Sequence, residues 1–307
     1  MGFIMYDLII IGAGPAGLTA GIYAKRANLK VAVVESGPPG GQLVSTGHVE
    51  NYPGFFKIAG ADLGIEMFNQ GLNLGVKYYF NEVKEIKDGR IKEVVLLDQT
   101  LKTKTIIIAT GAIPRKLGLP NEEKLSGKNI SWCAVCDGPL YQGKDVVVVG
   151  GGNSAVEEAS YLAGIVNKIT IIQNLDTLTA DQIAIDNLLK HDNVKIYYES
   201  LVTAFLLKED ESFLGVEIEI KKSEKQIIEA DGVFEYVGLK PSTTNFKNLA
   251  ILNEYGYIKT NDKMETTLRG VYAAGDVREK QIRQVVTAAN DGAIAALSAL
   301  RYIETWK

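Results

Sequence analysis

Apolar positions along the chain repeat one plan twice. Met5-Tyr-Asp-Leu-Ile-Ile-Ile11 is almost continuously apolar and predicts a strand buried on both faces of a sheet. A glycine-rich turn follows, then a helix of small residues to about Ala27, then a second apolar run over 30–34 that ends at Glu35. Residues 62–74 carry helical spacing and 76–80 read as a strand. The segments 84–86, 91–97 and 101–103 read as a small antiparallel meander, and 105–109 as a further buried strand closed by Thr110-Gly111. The plan then restarts: an apolar strand over 146–149, three glycines, a helix to about Gly164, and a strand over 168–172. A strand over 194–198, a meander over 201–229 and a strand over 233–237 complete this second copy. Short strands are expected at 256–258 and 270–276, and a long helix of small residues from Val285 to about Ile303. Two units of one design, the second set inside the first, predict an α/β fold of two Rossmann-like dinucleotide-binding domains, each a three-layer ββα arrangement.

Length and composition add limits. A chain of 307 residues suits two domains and buries a sizeable core. With 46% apolar residues, 23% charged and a formal net charge of −4, nothing suggests binding to nucleic acid. The first 24 residues carry one charge, Asp7, but lack a basic leading region and are interrupted by glycines after Ile11. They read as strand plus helix, not as a signal or membrane segment. Two cysteines do not make a secreted disulfide scaffold, so a cytoplasmic location is expected. The pairs Lys221-Lys222 and Glu122-Glu123 read as solvated surface.

The glycine turns carry the first chemistry. In Gly12-Ala13-Gly14-Pro15-Ala16-Gly17, Gly12 permits a tight turn, Gly14 lets a pyrophosphate approach the backbone, and Gly17 lets the helix lie close to the sheet. The helix N-terminus offers free N–H groups to phosphate. Glu35, at the end of the next strand, is placed to accept hydrogen bonds from an adenosine ribose. The second turn, Gly150-Gly151-Gly152-Asn153-Ser154-Ala155, has the same form, but its second strand ends in Gln173-Asn174-Leu175-Asp176. A domain that holds NADPH places an arginine near here, and one that holds NADH an acid at the strand end. No lysine or arginine occurs between Lys168 and Lys190, while Asp176, Asp181 and Asp186 would repel a 2′-phosphate. NADPH binding is expected to be poor. NADH stays open through Gln173 or Asn174, beside the plainer reading of a kept fold with a lapsed nicotinamide site.

The only two cysteines stand in Trp132-Cys133-Ala134-Val135-Cys136-Asp137-Gly138, just before the second unit's first strand. A dithiol at this spacing can close and reopen a disulfide, with the thiolate as the attacking form. Asp137 can supply or take the proton. The rival readings are a pair of buried structural thiols or half a zinc site. A structural zinc normally needs four protein ligands, and the two histidines, His48 and His191, lie far off in sequence. Near the C-terminus, Ala274-Gly275-Asp276 ends a strand with an acid able to hold ribityl hydroxyls, or simply to cap a helix.

Together these motifs resemble the low-molecular-weight flavin thioredoxin reductases over essentially the whole chain. The resemblance is carried by the first glycine turn, Gly40-Gly41-Gln42-Leu43, Val49-Glu50-Asn51-Tyr52-Pro53-Gly54, Ala109-Thr110-Gly111, Cys133 to Gly138, the second glycine turn, Ala274-Gly275-Asp276 and Arg283-Gln284. It implies a cytoplasmic homodimer that reduces thioredoxin. FAD would sit in an outer domain of residues 1–112 and 243–307, and the dithiol in an inner domain, 114–241, that swings on two connectors. FAD contacts would fall on Gly12, Gly14, Pro15, Ala16, Gly17, Glu35, Gly41, Gln42, Asn51, Val83, Thr110, Gly111, Asp276, Arg283 and Gln284. Cys136 would face the flavin, Cys133 would attack thioredoxin, and Asp137 would donate the proton, with no metal, membrane or nucleic acid involved.

One departure stands out. Gln173-Asn174-Leu175 replaces the family's basic run for NADPH, so the sequence resembles the clostridial ferredoxin-dependent subgroup, with reduced ferredoxin as the expected donor. The alternatives are an NADPH- or NADH-dependent thioredoxin reductase, a ferredoxin–NADP reductase-like flavoprotein that has no use for the cysteines, and a non-enzymatic flavoprotein sensor. Trp306 and Tyr302 could cover a flavin face, or pack at a domain edge or dimer contact.

Overall fold

The computed structural model describes residues 5–46, 48–49 and 51–306, with the side chains of Ser45, His48 and Cys136 outside the description. Glu50, part of one of the sequence motifs, also lies outside it. The chain divides into two compact units, Met1–Ile113 with Lys240–Lys307, and Pro114–Leu239.

The outer unit begins with β1 (Met5–Ile11), α1 (Pro15–Arg26), β2 (Val31–Glu35), α2 (Gly60–Asn73), β3 (Lys77–Phe80), β4 (Val83–Lys87), β5 (Lys92–Leu96) and β6 (Thr100–Ile108). The inner unit holds β7 (Ile130–Ser131), α3 (Ala134–Asp137), β8 (Asp145–Val149), α4 (Asn153–Ala163), β9 (Lys168–Ile172), α5 (Gln182–Leu188) and β10 (Val194–Tyr197). A three-stranded meander follows, β11 (Ser200–Leu207), β12 (Phe213–Ile220) and β13 (Glu224–Glu229), and then β14 (Gly232–Glu235). Back in the outer unit come β15 (Val271–Ala273) and α6 (Val285–Glu304).

In the outer sheet the order is β3-β2-β1-β6-β5-β4, with β15 alongside the end of β6. Strand β1 lies parallel between β2 and β6, with Ile10 opposite Val33 on one side and Ile107 on the other. This central position explains the unbroken apolar run. Leu8, Ile10, Val33 and Ile107 pack with Ala16, Ala20 and Ala295 on the helical face, while Ile9, Ile11, Ile106 and Ile108 enter a second core with Val94 and Phe246. Small side chains on α1 and α6 let these helices lie close to the sheet and to each other.

The inner unit repeats the layering. Its parallel sheet runs β7-β14-β8-β9-β10. Val146 and Val148 face α4 through Ala155, Ala159 and Leu162, whereas Val147 and Val149 face the meander through Phe205, Val216 and Ile218. Each unit is therefore helix, parallel sheet and antiparallel layer, the three-layer α/β arrangement that the repeat predicted.

Several local expectations need correction. The strands expected at 101–103 and 105–109 are one strand, β6, because its first half pairs with β5 while its whole length serves β1. Thr103 and Thr105, which flank the break expected at Lys104, are fully buried. Their hydroxyls donate to the Thr105 and Asp7 carbonyls at 2.9 and 2.7 Å, which satisfies them inside the sheet. Residues 256–258 form only isolated bridges at Ile258. Helix α5 was not foreseen. Glu122, read as surface, is 2% exposed and its carboxylate accepts the N–H groups of Leu117, Gly118 and Leu119. Trp306 lies beside Arg90 and Lys104, each 5.2 Å from its ring. Lys104 is the middle residue of β6, four residues before Ile108 at the end that meets the 12–17 turn, so the indole packs away from that turn.

Candidate functional site

Two sites emerge, one in each unit. In the outer unit the 12–17 turn sits where β1 hands over to α1. Gly12 has φ +104°, and a Cβ there would lie 2.3 Å from the Ala109 carbonyl oxygen. A Cβ on Gly17 would lie 1.9 Å from the Gly12 carbonyl oxygen, so the helix start and the turn touch backbone to backbone. Pro15 and Ala16 open the helix, whose N-cap residue, Gly14, receives no side-chain cap. The 40–41 loop closes over the turn: the Gly40 N–H donates to the Ala13 carbonyl at 2.7 Å, and Gly41 approaches Gly14 directly. The carboxylate of Glu35 accepts the Ala13 N–H at 2.6 Å and the Gly37 N–H at 2.9 Å, which fixes it beside the turn.

The remaining outer-unit residues take definite places. Gln42 lies in a short 3₁₀ turn (Gly41–Ser45) and donates to the Ala112 carbonyl. Thr110 donates to the Ser242 carbonyl at 2.8 Å, and Gly111 follows with a left-handed φ of +69°. The Asn51 amide donates to Gln284 Oε1 at 3.1 Å, joining two distant motifs at the start of α6, where Gln284 and Thr287 form a capping box. Val83 is buried in the second core, and its carbonyl accepts from the Asn245 amide. Its side chain therefore faces packing, and only its backbone could meet a ligand.

Asp276 does not cap a helix with its buried Oδ1, which has no partner. Burial pushes its carboxyl pKa up, with Lys280 and Arg283 pulling the other way. Arg283 Nε is likewise buried and unpartnered, its guanidinium 4.7 Å above the Tyr257 ring. Asp291, not singled out from sequence, accepts from Arg278 at 2.8 Å, from Lys280 at 2.9 Å and from the Gly275 N–H at 3.1 Å, which holds the turn that carries Asp276. A buried acid and a guanidine nitrogen left without partners, within one unit whose glycine turn suits pyrophosphate, fit a dinucleotide with a polyhydroxyl chain.

In the inner unit, Cys133 directly precedes α3, is half-buried and is disulfide-bonded. The sequence contains one other cysteine, Cys136. Ser131 organises this turn: its hydroxyl donates to Asp137 Oδ2 at 2.6 Å and accepts the Cys133 N–H at 3.1 Å. The Ala134 N–H meets Glu158 Oε2 at 2.6 Å and the Tyr236 hydroxyl at 3.0 Å. Just before the dithiol, the Trp132 indole N–H donates to Glu235 Oε2 at 3.0 Å, and Lys116 lies 5.5 Å from the ring. No group of residues that could hold a metal ion occurs among the described residues.

Ser131, Glu158, Glu235 and Tyr236 were missed in the sequence. Glu158 alone carried a signal. It lies three residues after Ala155 and four before Leu162, on the border of the apolar face of α4.

Glu235 yields a stability prediction. Burial, then the charge of Glu122, push it up to about 8. A carboxyl near 4.5 in the unfolded chain and about 8 in the fold favours the native state at low pH, and that stabilisation drains away as pH rises from 4.5 to 8. Glu235→Gln keeps an acceptor for Trp132 and removes the charge. It should stabilise the protein by on the order of 1–3 kcal/mol at pH 8 and much less at pH 5. Thermal unfolding at both pH values checks this, and an equal shift at both would refute the assigned cause.

The second glycine turn borders a cavity of ≈ 360 Å³ inside the inner unit, lined by the turn glycines, Gln173, Asn174, Thr179, Ser200, Tyr236 and apolar residues. None of its lining residues is lysine or arginine. Gln173, the counterpart of Glu35, is 2% exposed and its amide is committed locally. It donates to the Thr177 carbonyl at 2.8 Å and accepts the Asn174 N–H at 3.1 Å, with Gly151 pressed against it.

Known proteins match the chain over nearly its whole length. A family model described as "Pyridine nucleotide-disulphide oxidoreductase" matches residues 6–292. The chain is 45% identical over 305 residues to the thioredoxin reductase of Listeria monocytogenes, covering 99% of this chain and 95% of that protein. It is 48% identical over 299 residues to a "34.2 kDa protein in rubredoxin operon" of Clostridium pasteurianum, covering 97% of each. The crystal structure of Lactococcus lactis thioredoxin reductase superposes with a TM-score of 0.81 at 39% identity, over 98% of this chain and 99% of that one.

Proposed function

The chain belongs to the pyridine nucleotide-disulphide oxidoreductase family, here a flavin-dependent oxidoreductase with FAD as cofactor, and from that premise we propose that it reduces thioredoxin through Cys133 and Cys136. The carrying observation is a disulfide-bonded Cys133 at the start of a turn that also orients a carboxylate, Asp137, through Ser131.

FAD, when bound, supplies the pair of electrons that opens the internal disulfide. The 12–17 turn and the start of α1 would hold its pyrophosphate and Glu35 its adenosine ribose. Asp276 would take its ribityl hydroxyls, and Arg283, Gln284 and Asn51 the edge of the ring system. Gln42, Gly41, Thr110, Gly111 and the Val83 backbone complete the lining in this reading.

The exchange itself needs only this chain's residues. Cys133, as thiolate, attacks one sulfur of the thioredoxin disulfide, forming a mixed disulfide and expelling the other sulfur as a thiolate. Asp137 protonates that leaving thiolate. Cys136 then attacks the Cys133 sulfur, re-forming the internal disulfide and releasing the second thioredoxin thiol. The working protein in this reading is a cytoplasmic homodimer.

Reduced ferredoxin is the proposed donor, two equivalents per disulfide. A 2′-phosphate needs a bidentate cation, and the inner cavity has none in its lining; a ribose needs a free acceptor, and Gln173 is already committed. The Clostridium relative, described by its place in a rubredoxin operon, keeps company with a one-electron carrier, which supports the same direction. Anaerobic mixing of the holoenzyme with reduced ferredoxin should bleach the flavin, whereas NADPH and NADH should leave it yellow. Rapid bleaching by either nucleotide would overturn the donor assignment.

A further inference from the structure

We propose that Glu158, together with Tyr236, is a positioning residue that holds the Cys133 thiol less acidic than its place at the start of a helical turn would make it. The inference rests on the reading of Cys133 as the attacking thiol and specifies what controls it.

A cysteine placed directly before a helical turn ordinarily gains acidity, because the first N–H groups of the turn are free and point at the sulfur. Here they are not free. The Ala134 N–H donates to Glu158 Oε2 at 2.6 Å and also meets the Tyr236 hydroxyl at 3.0 Å. The Tyr236 hydroxyl donates to the same Glu158 oxygen at 2.9 Å, and the Val135 N–H is a further donor to this carboxylate. The donors that would stabilise a thiolate are thus engaged by a carboxylate, and its negative charge is added one residue from the sulfur. Both effects act in one direction, against the Cys133 thiolate. Burial also raises the pKa of Glu158 itself, with the hydrogen bonds from Ala134, Tyr236 and Val135 opposing.

Other groups bear on the same turn and must be held constant. Glu157 neighbours Glu158 on α4, Asp137 lies at the far end of α3 with Ser131 bonded to it, and Tyr141 follows in the next short turn. Glu235, Glu122 and Lys116 stand behind or over Trp132. None of these takes the Ala134 N–H, which makes Glu158 the group to change.

The test uses full-length, FAD-loaded protein with Cys136→Ser, so that Cys133 is the single thiol, and follows iodoacetamide alkylation by mass against pH. Adding Glu158→Gln should lower the Cys133 pKa by about one unit, giving roughly tenfold faster alkylation below the pKa. Tyr236→Phe removes a donor that favours the charged form of Glu158. It should move the profile the same way by a smaller amount, and it keeps the test open should Glu158→Gln fail to fold. Profiles that superpose on the parent, or move upward, overturn the proposal. Because alkylation reads the thiol directly, turnover that survives Cys133→Ser would sink the thioredoxin reading and leave this titration standing.

Discussion

Cys133→Ser is expected to lower thioredoxin reduction by about three orders of magnitude or more, since a serine hydroxyl can neither attack a disulfide nor form a mixed one. Cys136→Ser should fail differently. Cys133 would still attack, but no second sulfur remains to resolve the product, so a covalent adduct with thioredoxin should accumulate. With only two cysteines in the chain, that adduct assigns itself: it should appear on a non-reducing gel, vanish with dithiothreitol and be absent in Cys133→Ser. Steady-state turnover with thioredoxin and the gel together check both halves. Electron transfer between ferredoxin and NADP that is catalysed by the parent and persists in Cys133→Ser, with no thioredoxin reduced by either, would favour the ferredoxin–NADP reductase-like alternative, in which the cysteines have no task.

Much of this was legible because buried parallel strands write themselves in unbroken apolar runs. Met5–Ile11 was visible to the residue, and the inner copy of the same plan to within a residue or two at its strand ends, since both faces of each central strand meet a core. The glycine turns were legible for a similar reason: only glycine fits where backbone meets backbone. What escaped were features decided by partners far away in sequence. The polar run Thr103-Lys104-Thr105 reads as a gap between two strands until the Asp7 and Thr105 carbonyls accept the two threonine hydroxyls. Glu122 looks solvated until a loop folds three N–H groups onto it. Glu158 and Tyr236 lie 24 and 102 residues from the N–H they share, a distance that no local pattern spans. The same limit explains Asp291, whose place among small residues on α6 gave no hint that Arg278 and Lys280 close on it.

Asp276 supports the other large prediction, and its sign reverses with cofactor. In the structure its carboxyl is buried, one oxygen has no partner, and burial raises its pKa despite Lys280 and Arg283. Without FAD, then, this side chain costs stability, and the cost is greatest where it is ionised. Its folded pKa exceeds its unfolded value, so the native state is favoured at low pH and loses that advantage as pH rises through the folded pKa. Asp276→Asn should therefore stabilise the FAD-free protein by about 1 kcal/mol at neutral pH, and less in acid. On the proposed reading, FAD brings hydroxyl donors to the orphaned oxygen, and a charge-assisted bond to an ionised carboxylate is worth about twice a neutral one. Asp276→Asn should weaken FAD binding roughly tenfold and Asp276→Ala roughly a hundredfold, from about 1.5–3 kcal/mol lost. Flavin fluorescence on titrating apoprotein measures the affinity, and unfolding with and without FAD measures the rest. A residue that merely capped the turn between β15 and α6 would destabilise both forms when replaced; only a cofactor ligand raises the melting point of the empty protein while lowering that of the loaded one.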